Sequence, residues 1–118
     1  MTLQFYWYPK CGTCQKAKKW LDEHDISYEA IHIVEQPPSE AKLKEVVSKS
    51  GLEARKLFNT SGKKYRELGL KDKVKDMQED EILAQLASDG MLIKRPLTIG
   101  EKQATVGFKQ TEYAETWE

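Results

Sequence analysis

The sequence predicts an α/β fold: a small mixed four-stranded sheet, laid down as βαβ and then ββα, with an all-helical insertion between the halves. Three observations carry this. An apolar run at residues 3–8, a helical pattern at 13–24 and an alternating run from Ser27 to Val34 make an opening βαβ unit, whose crossover is right-handed and whose strands are parallel. Residues 35–90 hold only short segments of helical spacing. Residues 97–108 then read as a hairpin, followed by a last helical segment. With 118 residues, the chain is expected to form a single domain spanning 1–118 around one core.

Each element has a local reason. Leu3-Gln4-Phe5-Tyr6-Trp7-Tyr8 is a largely apolar run that reads as a strand buried on both faces, and Pro9 stops it. Ala17, Trp20 and Leu21, with Cys14, form the inward stripe of the first helix. In the second strand Tyr28, Ala30, His32 and Val34 alternate with Glu29, Ile31 and Ile33. Gln36-Pro37-Pro38 breaks the chain, and Ser39 caps a helix whose apolar face is Leu43, Val46 and Val47 and whose end is Gly51. Glu53 to Phe58 and Lys63 to Leu68 read as short helices parted by Asn59-Thr60-Ser61-Gly62, and Gly69 ends the second. Asp80 to Ser88 carries Ile82, Leu83 and Leu86 at helical spacing, with Gly90 as terminator. The insertion thus reads as four helical pieces, with the sign-alternating run Lys71–Asp76 a solvated loop or helix face. Leu97-Thr98-Ile99, a turn at Gly100-Glu101-Lys102 and Ala104 to Phe108 make the hairpin. Thr111 caps a final helix that turns Tyr113, Ala114 and Trp117 inward.

Composition narrows the function classes. Lys plus Arg equals Asp plus Glu at 19 each, so no overall charge recruits nucleic acid or an anionic membrane. No apolar run approaches the length of a bilayer span, and the start lacks the basic and apolar regions of a secretory signal. The expected compartment is the cytoplasm. Thiols there are kept reduced, so a close cysteine pair is redox-active or metal-binding rather than a staple.

Such a pair stands between the first strand and the first helix, as Cys11-Gly12-Thr13-Cys14. Unpaired N–H groups and the positive dipole end at a helix start favour a thiolate, the nucleophile of thiol chemistry. A second thiol one helical turn away can close a disulfide on the first. A structural zinc site needs four ligands, whereas the chain has two cysteines, and His24 and His32 lack finger spacing. No metal or cofactor is expected. Both histidines read as structural, and Phe5, Tyr6, Trp7, Tyr8 and Trp20 read as core rather than a platform for bases. Lys10 reads as a solvated lysine whose charge still lies near Cys11.

Cys-x-x-Cys in this setting is the thioredoxin-type redox signal, and the element order is the thioredoxin-like plan with helices added. Pro9-Lys10-Cys11-Gly12-Thr13 at the front and Arg95-Pro96 just before the hairpin sharpen the match. With both motifs the chain resembles the arsenate reductase (ArsC)/Spx family, from Leu3 to about Trp117. The resemblance implies that Cys11 is the active cysteine, that Pro96 is cis beside the cysteine loop, and that Arg95 points toward the thiol and binds anions. Gly12, Thr13 and Lys10 join Pro96 as binding or positioning residues. It also implies a reductant partner: thioredoxin, glutaredoxin or a low-molecular-weight thiol.

Two departures bear on the function. The glutaredoxin-linked reductases surround their oxyanion with three arginines; two of those positions fall here at Asn59 and Phe108, and Arg95 alone is kept. Lys63, Lys64, Arg55 and Lys109 stand as replacements, the lysines among them without the planar fork of arginine. Those enzymes also show Cys-Gly-Thr-Ser, whereas this chain has Cys14. That is the pattern of the Spx branch, thiol-switched regulators that bind RNA polymerase, and Gly51 with Lys94-Arg95 would serve such an interface. The acidic end Thr111–Glu118 lacks a basic tail and leans toward an enzyme. The reading is a Cys11–Cys14 thiol–disulfide oxidoreductase, with arsenate disfavoured as substrate. The alternative is a redox-switched regulator contacting the RNA polymerase α subunit.

Overall fold

The computed structural model describes residues 2–118. A mixed sheet of order β2-β1-β3-β4 is formed by β1 (Leu3–Trp7), β2 (Tyr28–His32), β3 (Leu97–Ile99) and β4 (Ala104–Val106). β1 runs parallel to β2 with Phe5 opposite Ala30, and antiparallel to β3 with Tyr6 opposite Leu97; β3 and β4 form the hairpin. This is the predicted thioredoxin-like sheet.

The side-chain period of a strand divides the core into two layers. On one face Leu3 and Phe5 pack with Ala17, Trp20 and Leu21 of α1 (Gly12–Glu23) and Tyr113 of α6 (Gln110–Trp117). Tyr113 is fully buried, and its hydroxyl meets that of buried Thr98 at 2.6 Å. On the other face Tyr6, Leu97, Ile99 and Ala104 pack under the helical block with Leu43, Val46, Leu83 and Leu86. Ser39 Oγ caps α2 (Glu40–Ser50) by accepting from Lys42 N–H at 3.1 Å, and Gly51 ends it at φ 75°, in the left-handed region glycine tolerates.

Several boundaries differ from expectation. β1 ends at Trp7, and Trp7 and Tyr8 are half-buried, because the chain already turns into the cysteine loop there. β2 stops at His32, whose Nδ1 accepts from the N–H groups of Val34 and Glu35 at 3.2 Å each and draws the chain out of the ladder. The insertion breaks into more pieces than four. After α2 come a 3₁₀ turn at Ala54–Leu57, α3 (Lys63–Glu67), α4 (Leu70–Lys73), a 3₁₀ turn at Val74–Asp76, α5 (Glu79–Ser88) and a 3₁₀ turn at Gly90–Leu92. α5 starts with a reciprocal capping box between Gln78 and Glu81. α6 begins at Gln110, capped by the Lys109 backbone rather than by Thr111. Buried Tyr113 sets its phase, and the Tyr113 N–H closes the first turn on Lys109 O at 2.9 Å.

Lys49 joins α2 to the hairpin turn. Its ammonium donates to Glu45 Oε2 and to the Gly100 carbonyl, each at 2.8 Å. This contact holds Glu45 below the usual carboxylate range. Lys49→Met is therefore expected to cost about 1 kcal/mol, measured by urea unfolding at neutral pH. The Glu45 contribution to stability exists above the ordinary carboxylate value and is lost as pH falls through its lowered folded value, so the difference between variant and parent narrows in acid.

Candidate functional site

The site grows from the end of β1. The Tyr8 carbonyl accepts the Cys11 N–H at 2.9 Å, and the Gln15 side chain donates to the Pro9 carbonyl at 2.6 Å, fixing the loop between strand and helix. Cys11 becomes the N-cap of α1: its extended backbone lets Sγ accept from the Cys14 N–H at 3.3 Å. Gly12 and Thr13 open the helix and are exposed, and nothing lies within 4 Å of a Cβ built on Gly12. Lys10 is exposed beside them and lines no part of the cleft that Cys11 faces.

The two thiols are unlike. Cys11 is partly exposed, whereas Cys14 is fully buried, and both are free. Burial pushes the Cys14 thiol up to about 12, and its hydrogen bond to Cys11 acts in the same direction. A backbone hydrogen bond with Tyr8 and the charge of Arg95 oppose them. Cys14 therefore stays protonated at neutral pH.

Across the loop lies Arg95, followed by buried Pro96 on a cis bond. The Arg95 Nη1 donates to the Met91 and Ile93 carbonyls at 3.3 and 3.4 Å, and the guanidinium lies 5.5 Å from the Tyr8 ring centre. Its Nε is buried without an acceptor among the described residues, an uncommon state for a donor. An anionic group entering beside Arg95 would supply one.

Cys11 and Arg95 share a cleft of about 490 Å³. Asn59 and Phe108, the two positions where the reductases are expected to carry arginine, both line it. Of the candidate replacements only Lys109 lines it as well. Arg55, Lys63 and Lys64 instead pair with Glu53, Glu67 and Asp89. Thr13, Leu52, Ser61, Lys94, Val106, Gly107 and Glu112 complete the wall. Tyr8, read from sequence as core, does pack against the core, and what sequence reasoning missed is its contact with the Arg95 guanidinium. An aromatic at the end of a strand that stops short of the cysteine loop is the signal that it faces the site. His24 and His32 stay outside the cleft, His24 stacked on Trp20 at 3.9 Å.

The ArsC family model matches residues 6–116. The chain is 62% identical to the uncharacterized protein YusI of Bacillus subtilis over 99% of both chains. It is 28% identical to the global transcriptional regulator Spx of Lactiplantibacillus plantarum, covering 91% of this chain and 80% of that one. Among solved structures, the arsenate reductase from Vibrio cholerae superposes with a TM-score of 0.86 at 28% identity, covering 98% of this chain and 97% of that one.

Proposed function

The chain belongs to the ArsC family, and from that premise we propose that it is a thiol–disulfide oxidoreductase of the cytoplasm working through Cys11 and Cys14. The observation that carries this is the asymmetry of the pair: Cys11 faces a cleft with Arg95 while Cys14 waits, buried and protonated, behind it. The Cys11 thiolate attacks one sulfur of a substrate disulfide and the other leaves as a thiolate. Cys14 loses its proton and attacks Cys11, which releases the substrate's second thiolate and leaves a Cys11–Cys14 disulfide. Two electrons pass from protein to substrate. An external dithiol or low-molecular-weight thiol, of the thioredoxin, glutaredoxin or small-thiol kind, reduces the pair again. Two of the causes that hold Cys14 protonated are its hydrogen bond to Cys11 and the nearby Cys11 charge. Both weaken once Cys11 enters a mixed disulfide, so resolution is favoured when it is needed.

The test uses reduced protein and the neutral 2-hydroxyethyl disulfide. The expected result is release of substrate thiol matched by loss of both protein thiols. An unchanged rate in Cys11→Ser would sink the proposal.

Arsenate is not the expected substrate. Phe108 and Asn59 remove two guanidinium groups from the cleft, and each lost oxyanion donor costs about 10²–10³ in rate. With arsenate, and with glutaredoxin or thioredoxin supplied, arsenite formation is expected at background level; turnover would show that Lys94 and Lys109 replace the arginines.

A second reading is a redox-switched regulator that contacts the RNA polymerase α subunit. It is supported by the likeness to Spx and by a second cleft of about 440 Å³ at exposed Gly51 and Leu52, which adjoins the Cys11 cleft at Leu52 and is lined by Val47, Ala54 and Ile82. A pull-down against the α subunit with reduced and with oxidised protein separates the two, and no capture in either state eliminates this reading.

A further inference from the structure

The cleft at Cys11 does not end at Lys94. A second depression of about 300 Å³ shares Asn59, Ser61 and Lys94 with it and runs on past Phe58 to Lys56. The two depressions adjoin at these three residues and make a trough with Cys11 among the lining residues of its first part. Its floor is fixed by backbone pairing. Phe58 and Ile93 form an antiparallel bridge, flanked by Lys94 N–H to Leu57 O and Asn59 N–H to Leu92 O, each at 2.7 Å. Lys94 is held by more than its backbone: a Cβ built on Gly107 would come within 3.1 Å of the Lys94 Cε, so the lysine stem lies along that glycine.

The charge of the trough departs from that of the chain, which is balanced overall. Lys56, Lys94, Arg95 and Lys109 line it, and none of them forms an ion pair among the described residues. Arg55 is matched by Glu53 at 2.7 Å, and Glu112 is the one carboxylate on the wall. The Cys11 end adds apolar surface from Phe108 and Val106. A lone oxyanion would occupy only the end beside Arg95 and leave the run from Lys94 to Lys56 unused.

Resting on the redox reading above, we propose that the trough binds the acidic flank of a polypeptide disulfide. The substrate sulfur lies at Cys11, an apolar neighbour lies on Phe108, and carboxylates on one side of the substrate cysteine meet Lys94 and Lys56. The electron balance is that of the exchange already described, with the acidic disulfide as oxidant. Exposed charge pairs of this kind speed encounter and are weakened by salt.

The test compares two synthetic peptide disulfides of equal length, one with glutamates beside its cysteines and one with glutamines, reacting with the reduced full-length protein. The expected second-order rates favour the acidic peptide about tenfold at low salt, with the ratio falling toward one near 1 M salt. Lys56→Glu combined with Lys94→Glu is expected to bring the ratio to one or below. Lys56→Gln alone, at the exposed far end, is expected to lower it about twofold. Equal rates for the two peptides in the parent protein, or a ratio that neither variant moves, overturn the inference and leave the redox reading standing. Failure of both peptides and of the neutral small disulfide to react overturns the redox reading and the inference with it.

Discussion

Cys11→Ser is expected to lower the rate of disulfide reduction by about 10³-fold or more, whereas Cys14→Ser is expected to react once and stop. The two variants differ because the two thiols do different work. Removing Cys11 removes the sulfur that faces the cleft, and buried Cys14 cannot replace it. Removing Cys14 leaves the first attack intact and strands the mixed disulfide on Cys11, which intact-mass measurement reads as a stable adduct of substrate. A Cys14→Ser protein that turns over as fast as its parent would show that an outside thiol resolves Cys11 directly. The pH dependence follows from the same asymmetry. Cys14 titrates near 12 in the reduced protein, so its thiolate is scarce at neutral pH, and the resolving step is expected to quicken between about pH 6 and 9. Stability moves the other way. The folded thiol holds its proton more tightly than the ordinary value of 9.0, so this contribution is complete below that value and declines as pH rises from there toward about 12.

The elements that sequence periodicity predicts well are those whose faces are buried by one partner. α1 shows Ala17, Trp20 and Leu21 on one stripe because the sheet covers only that stripe. The hairpin is legible because Leu97 and Ile99 face the helical block while Thr98 faces Tyr113. The helical block was harder to read. Its 3₁₀ turns at Ala54–Leu57 and Val74–Asp76 are too short to carry a period, and packing rather than propensity sets their ends. In the site, Cys11, Arg95 and Pro96 are recognisable by their likeness to the family's motifs, and the same resemblance marks the substituted positions Asn59 and Phe108. The trough is not, because it depends on Phe58 pairing with Ile93 across a long stretch of chain, and no local pattern encodes that bridge. Lys10, read from sequence as a solvated lysine, is exposed beside the loop and is not among the residues that line the cleft.

Gly90→Ala is expected to destabilise the fold by about 3 kcal/mol, a large share of the margin of an ordinary domain. From sequence Gly90 reads as the residue that ends α5, a role a small polar residue would fill almost as well. The structure gives it a different constraint. A Cβ at Gly90 would lie 2.0 Å from the Ile33 carbonyl oxygen and 2.7 Å from its carbon, and backbone atoms at that distance cannot swing aside as a side chain would. The chain leaving β2 and the 3₁₀ turn at Gly90–Leu92 must therefore separate. Urea unfolding measures the cost, and Gly12→Ala serves as the comparison, since a Cβ there meets nothing within 4 Å. The loss should reach function as well. Met91 and Ile93, immediately beyond Gly90, supply the carbonyls that hold the Arg95 guanidinium, and Ile93 anchors the floor of the trough. A shift at Gly90 is thus expected to slow the reaction of Cys11 with disulfides even at temperatures where the variant stays folded. If Gly90→Ala matches its parent in both stability and rate, the close approach of these two backbones is wrong, and with it the account of what fixes Arg95 opposite the thiol.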